Sequence, residues 1–252
     1  MRRSWTSILC LVGVVLSYGP AHGVDGISGS KLVLPSSGTV ERGRLEVEPF
    51  FQFTTVDDAA DTEGGEGGIR ITFGAAEGLE VGGIFGATFT SNDADEDDTS
   101  ARDVGLGAKY ELLGESGPYP SVALQAGLTV PTRSGPDSRW VGELGLIATR
   151  NFTDRFSADA DVVFFADDED EWGLGADLGF GYFVIPLLQP VLEFNFTYED
   201  LDVMDPRRLG LSLGFTSPVT EFLEIVAGTT VDLIADDTDS EINYSVAFTF
   251  LF

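Results

Sequence analysis

The chain has 252 residues and a formal net charge of −28, from 42 Asp and Glu against 14 Lys and Arg. Such an excess of acid repels phosphate and excludes nucleic acid as a partner. A hydrophobic share of 43%, with aromatic residues placed periodically, excludes a disordered chain.

The first element in chain order is a leader. Arg2 and Arg3 precede an apolar run from Ile8 to Leu16, and Ala21-His22-Gly23 offers small residues at the spacing a signal peptidase reads. The run is too short to span a bilayer as a helix, which takes about 20 apolar residues. Residues 1–23 are therefore expected to be a signal peptide, with the mature chain beginning near Val24. Cys10 lies inside the apolar run and not at its end, which argues against a lipid anchor. Cys10 and His22 are the only cysteine and histidine, and both would leave with the leader. The mature chain would then have no disulfide, thiolate, imidazole base or His/Cys metal site. A Ser-His triad is excluded. No enzyme activity and no cofactor are expected.

Residues 24–42 have no clear alternation, and Ser28 to Ser37 reads as loop. Two readings stay open: a periplasmic extension, or a plug folded into a lumen.

From Gly43 to Phe252 about twelve segments of roughly ten residues follow one another, each alternating in polarity and bounded by turn residues. The first sets Leu45, Val47, Phe51 and Phe53 against Glu46, Glu48 and Gln52. Ile69, Ile71 and Phe73 oppose Arg70 and Thr72. Leu79, Val81, Phe85 and Phe89 oppose Glu80, Gly82, Gly86 and Thr88. Val104, Leu106 and Tyr110 oppose Asp103, Gly105 and Lys109, and Leu124 and Leu128 oppose Gln125 and Gly127. Trp140, Leu144 and Leu146 oppose Glu143 and Gly145, although Val141 and Ile147 blur this sixth strand. Phe156, Val162 and Phe164 then oppose Asp159 and Asp161, and Trp172, Leu174 and Leu178 oppose Asp177. Leu192, Phe194 and Phe196 oppose Glu193 and Asn195, and Leu209 to Phe215 oppose Arg208 and Ser212. Leu223, Ile225 and Val231 oppose Glu224 and Asp232. The last strand carries Tyr244, Val246, Phe248, Phe250 and Phe252 on one face, resembling the terminal strand by which outer-membrane barrels are recognised by their assembly machinery.

A soluble sandwich would turn its apolar faces inward, and a membrane barrel would turn them to lipid. Two observations favour the barrel. Glycine is abundant on the polar face, as a crowded interior requires, and the connections alternate in character. Odd-numbered ones carry acid (Asp57 to Glu66, Asp93 to Asp98, Asp167 to Glu171, Glu199 to Asp205, Asp236 to Asp239), the one at Pro131 to Ser138 only weakly. Even-numbered ones are compact or nearly neutral. Short turns at one end and elaborated loops at the other are the asymmetry of outer-membrane barrels. The expected fold is all-β, an antiparallel transmembrane barrel of about twelve strands in an up-and-down meander.

Glu41-Arg-Gly-Arg-Leu-Glu-Val-Glu-Pro49 resembles the first strand of the outer-membrane "MetA-pathway of phenol degradation" transporters. So do the strands Val104 to Leu113 and Pro120 to Thr132. The resemblance implies a small barrel and a presumed channel for aromatic compounds, with no catalytic motif. The density of acid in the loops departs from that pattern.

The candidate lumen residues are Glu46, Glu48, Arg70, Glu80, Asp103, Lys109, Glu143, Asp159, Asp161, Asp177, Glu193, Arg208, Glu224 and Asp232, with Arg139 as a further cation. Their excess of carboxylate would attract cations, unless Arg and Lys pair with it to brace a closed core. Neutralising Asp159, Asp161 and Glu193 together tests the first reading through cation selectivity. Asp93-x-Asp95-x-Asp97 begins like a calcium loop, but Asp98 replaces the required glycine and Val104 the bidentate Glu, so no metal site is expected there. The acidic loops read as a solvated surface, or as a surface for divalent cations bridging lipopolysaccharide. Trp140, Trp172, Tyr182, Tyr198 and Tyr244 suit interfacial girdles. Phe50 and Phe165 point inward, where packing explains them. The chain is expected to be an outer-membrane channel for passive passage of small solutes. The alternative is a non-conducting barrel whose loops bind cations, lipopolysaccharide or a partner.

Overall fold

The computed structural model describes residues 24, 26–29, 31–57, 62–91, 98–133, 139–201 and 205–252. The expected leader, the aborted calcium motif at Asp93 to Asp97, and parts of three other acidic connections lie outside the described residues.

Alternating polarity becomes strand throughout: β1 (Leu45–Asp57), β2 (Glu63–Ala76), β3 (Leu79–Ser91), β4 (Asp98–Ala101), β5 (Val104–Leu113), β6 (Ser121–Val130) and β7 (Val141–Thr153). There follow β8 (Phe156–Asp167), β9 (Trp172–Tyr182), β10 (Gln189–Asp200), β11 (Arg207–Thr220), β12 (Leu223–Asp236) and β13 (Ser240–Leu251). Consecutive strands pair antiparallel, except β4 with β5, and β1 pairs with both β2 and β13, so the sheet closes on itself. β4 and β5 both pair with β3 and form one wall strand, interrupted at Arg102 and Asp103. The result is a twelve-stranded up-and-down barrel, and closure pairs the wall strands on both sides, the short β4 excepted. The seam is made by the chain end: Phe252 donates its N–H to the Leu45 carbonyl at 2.8 Å and accepts from Leu45 N–H at 3.1 Å.

Three of the even connections are tight turns. Glu77-Gly78, Asp154-Arg155 and Glu221-Phe222 each join two strands directly, and Gly78 takes the positive φ (68°) that its turn requires. At the opposite, acidic end Asp170 and Asp237 take positive φ, a conformation that aspartate tolerates better than most residues.

The apolar faces point outward. Phe51, Phe85, Leu106, Leu144, Leu146, Val162, Phe164 and Leu213 are all exposed, which in water would be unfavourable and against lipid is required. Aromatic residues cluster at both ends of this surface. Trp172 stacks on Phe164 and meets Tyr198 edge-on at the acidic end, and Tyr182 stands at the turn end of the same strand. Ten residues separate Trp172 from Tyr182, a projected height of about 25 Å for strands tilted by roughly 40°. That matches the apolar band of an outer-membrane barrel.

The inward face holds two kinds of residue. Most are polar and buried, but Ile84, Ala123, Val141, Ile147 and Val163 are apolar and buried on the lumen side. Val141 and Ile147, which blur the alternation of their strand, are therefore lumen residues. Ala123, Ile147 and Val163 form a cluster with Val24 and Ile27 from the segment before β1.

Candidate functional site

The candidate site is the lumen, whose wall meets described residues of the segment before β1. Described residues of this segment make contacts with the lumen face of the wall. Val24, Ile27, Leu34 and Val40 are buried, although no strand or helix holds them. The cause is a set of wall carboxylates that accept the segment's backbone N–H groups. Glu80 of β3 accepts from Ser28 N–H (2.8 Å), Ser28 Oγ (2.8 Å) and Val40 N–H (2.7 Å). Glu193 of β10 accepts from Leu32 and Val33 N–H, each at 3.0 Å. Lys31 forms an ion pair with Asp159 of β8, and Ser37 N–H donates to Thr149 Oγ1 at 2.9 Å. An irregular segment has no ladder partners of its own, and buried N–H groups need acceptors. The lumen carboxylates supply them.

Lys109 of β5 completes the first clasp. It lies 3.2 Å from Glu80 and donates to Ser28 Oγ (2.9 Å) and the Ser36 carbonyl (3.0 Å). Neither Lys109 nor Glu80 is exposed at all. Glycine provides the room. A side chain at Gly82 would strike the Gly26 carbonyl, one at Gly127 would meet Val24 and Glu143, and one at Gly214 or Gly228 would meet Leu32. The glycine of the lumen face thus has a specific use, since the segment lies against the wall backbone.

The remaining candidates sort by position. Glu48 pairs with Arg70 at 3.1 Å and accepts from Thr249 Oγ1 at 2.7 Å, and Glu46 lies among the same charges. Glu224 is half-buried near Glu48 and Thr216. Arg208 bridges Glu241 (2.8 Å) and Asp232 (3.5 Å). Asp161 and Asp177 face each other across β8 and β9. Asp103 sits at the acidic rim, accepting from Thr132 N–H at 2.9 Å, and Arg139 stands at the same rim on Asp167 (2.8 Å), Glu169 (3.0 Å) and Glu171. Arg139 therefore belongs to the rim and not to the mid-lumen. Phe50 and Phe165 point inward, their rings lying over Gly68 and Gly173 of the neighbouring strands, which is a packing arrangement.

Reading the strand faces alone missed Lys31, a cation that the segment itself brings to a wall carboxylate, and Arg102, which pairs with Glu66 at 2.9 Å. A signal for the docked segment was present: the out-of-phase apolar residues Val141 and Ile147 mark a lumen patch with something to cover it.

Between the segment and the wall lies a cavity of about 400 Å³ at the turn end, lined by residues including Lys31, Ser36, Glu111, Thr149, Asp159 and Gln189. Its walls are mainly hydroxyl, amide and carboxylate.

No family model matches the chain, and no curated protein does. Among solved structures, an outer membrane channel from Pseudomonas putida F1 superposes with a TM-score of 0.68 at 15% identity, over 85% of this chain and 97% of that one. The translocator domain of autotransporter NalP from Neisseria meningitidis gives 0.56 at 12% identity, over 97% and 95%. The β domain of the Bordetella autotransporter BrkA gives 0.54 at 16%, over 84% and 100%. At these identities the likeness is one of fold, the outer-membrane β-barrel.

Proposed function

We propose that this chain is an outer-membrane channel for passive passage of small solutes, in which residues 24–42 occupy and gate the lumen. The observation that supports the reading most is the closed barrel with an apolar outer face and a polar interior, joined to its fold likeness to the Pseudomonas channel. Residues 1–23 act as a cleaved leader, the acidic connections face the outside of the cell, and the terminal aromatic strand serves assembly. Outer-membrane lipid, with its lipopolysaccharide, surrounds the barrel. In this reading the wall carboxylates act first as clasps for the segment. Neutralising Asp159, Asp161 and Glu193 together would then raise conductance as well as weaken cation preference, because two of the three hold the segment.

The solute class is the finer part of the proposal. The resemblance of residues 41–49, 104–113 and 120–132 to the phenol-degradation transporters supports small aromatic or otherwise apolar molecules. Swelling of liposomes carrying the folded chain tests this. Neutral aromatic alcohols should enter faster than sugars of similar size, and equal rates would remove the aromatic preference. The filled lumen favours a second reading, a non-conducting barrel whose acidic loops bind cations, lipopolysaccharide or a partner. Liposomes that exclude every solute would support it.

A further inference from the structure

Asp161 and Asp177 are direct cross-strand partners on the lumen wall, with 2% and 4% of their surface exposed. Like charges set directly opposite destabilise a sheet, and carboxylates removed from water need compensation. The two carboxyl groups lie within hydrogen-bonding reach of each other, and their other side-chain partners are neutral. Gln125 Nε2 donates to Asp161 Oδ2 at 3.2 Å, and Asn195 Nδ2 donates to Asp177 Oδ1 at 3.0 Å. The other oxygen of each carboxylate is buried without a hydrogen-bond partner among the described residues, and so is Gln125 Oε1. With both groups ionised, three acceptors stand unmatched around the pair. Reversing the Gln125 amide does not help, since it would turn its oxygen onto Asp161 and orphan the donor instead.

The arrangement is built in. Gln125 sits on β6 and Asp161 on β8, so its side chain must cross β7, and it does so over Gly145. A side chain there would meet Gln125 Nε2 at 2.8 Å and Val163 Cγ2 at 2.9 Å. On the other side Ser212 Oγ donates to Asn195 Oδ1 at 2.7 Å and shares a hydrogen bond with Thr230 at 2.7 Å. The Asp177 carboxylate selects the Asn195 orientation that presents its NH₂, and Ser212 donates to the amide oxygen on the other side. The nearby protein cations are committed elsewhere: Lys31 to Asp159, Lys109 to Glu80, and Arg208 to Asp232 and Glu241. Glu193 adds further negative charge close to Asp177.

We propose that Asp161, Asp177 and the side-chain oxygen of Gln125 bind a hard divalent cation of the calcium type in the barrel wall. Two carboxylates match its charge, and oxygen donors in an adaptable set suit it. The ion would tie β8 and β9 to β6 across β7. The inference does not depend on whether the barrel conducts.

The test is calcium titration by calorimetry of the full chain, folded, purified and stripped with chelator, with terbium luminescence as a second readout. The wild type should bind one calcium tightly, and Asp161→Asn with Asp177→Asn should weaken that binding at least tenfold. A loop variant, Asp168→Asn with Glu169→Gln and Asp170→Asn, should keep it. Gln125→Leu leaves both carboxylates in place and should weaken binding too, which covers a failure of the double variant to fold. Calcium binding that survives the wall variants and disappears with the loop variant would overturn the proposal. So would an infrared band of a protonated carboxyl in calcium-loaded wild type that vanishes in Asp161→Asn, because the pair would then share a proton.

Discussion

Glu193 and Glu80 carry the lumen's organisation at the scale of single residues. Each is a buried carboxylate that spends its oxygens on backbone N–H groups of a segment far away in sequence. Hydrogen bonds to charged groups contribute about 1.5–3 kcal/mol each. Glu193→Gln, which removes the charge and one acceptor, should raise hydrogen exchange at the Leu32 and Val33 amides by about tenfold or more. Unchanged exchange there would remove Glu193 from the clasp. Lys109→Met leaves Glu80 buried without its cation and should lower unfolding stability by about 3–5 kcal/mol in guanidinium. Adding Glu80→Gln should recover part of that loss. If Lys109→Met alone is neutral, the pair is not buried as described. The inward direction of nearly all these side chains was legible in the parity of their strands. Their partners were not, because parity says which face a residue occupies and nothing about an irregular segment lying against it.

Among elements, β7 and the segment 24–42 explain each other. An alternating strand with Val141 and Ile147 on its polar face looks faulty until Val24 and Ile27 are seen against Ile147. Placing Ser at position 147 should cost about 2–4 kcal/mol of docking, by lost apolar contact and a stranded hydroxyl. Gly127→Leu should act more severely, since its Cβ alone would strike the Val24 side chain and the Glu143 carboxylate whatever the rotamer, without touching wall backbone. In both variants protease should cut after Lys31 while the barrel stays intact, and resistance equal to wild type would contradict the docked geometry. The strands themselves, their order and the tight turns were all legible from period-two alternation and turn residues, which depend only on local sequence. The split of the fourth wall strand at Arg102 and Asp103 was not, because a rim irregularity leaves the alternation on either side unchanged. β13 raises a separate question. Phe252→Ser should reduce the amount of barrel assembled in the outer membrane, yet the same variant refolded in detergent should still close its seam on Leu45. Equal loss in both settings would make the phenylalanine a matter of stability and not of assembly.

The whole molecule separates its charges by place. Among the described residues, Arg139 holds acid at one rim, while much of the lumen acid, the Asp161–Asp177 pair excepted, is matched by Lys31, Lys109, Arg70, Arg208 and backbone N–H groups. The barrel class followed from the sequence because lipid imposes its pattern on every strand. The segment's contacts with the lumen face did not, because its apolar residues follow no period. The central claim is that this segment holds a passive channel closed. It is tested most directly by single-channel current in planar bilayers, comparing the wild type with a chain shortened between Ile27 and Ser37. The account predicts small or intermittent steps for the wild type and larger, sustained ones for the shortened chain. Equal currents, or silence from a shortened chain that is folded and inserted, would contradict it.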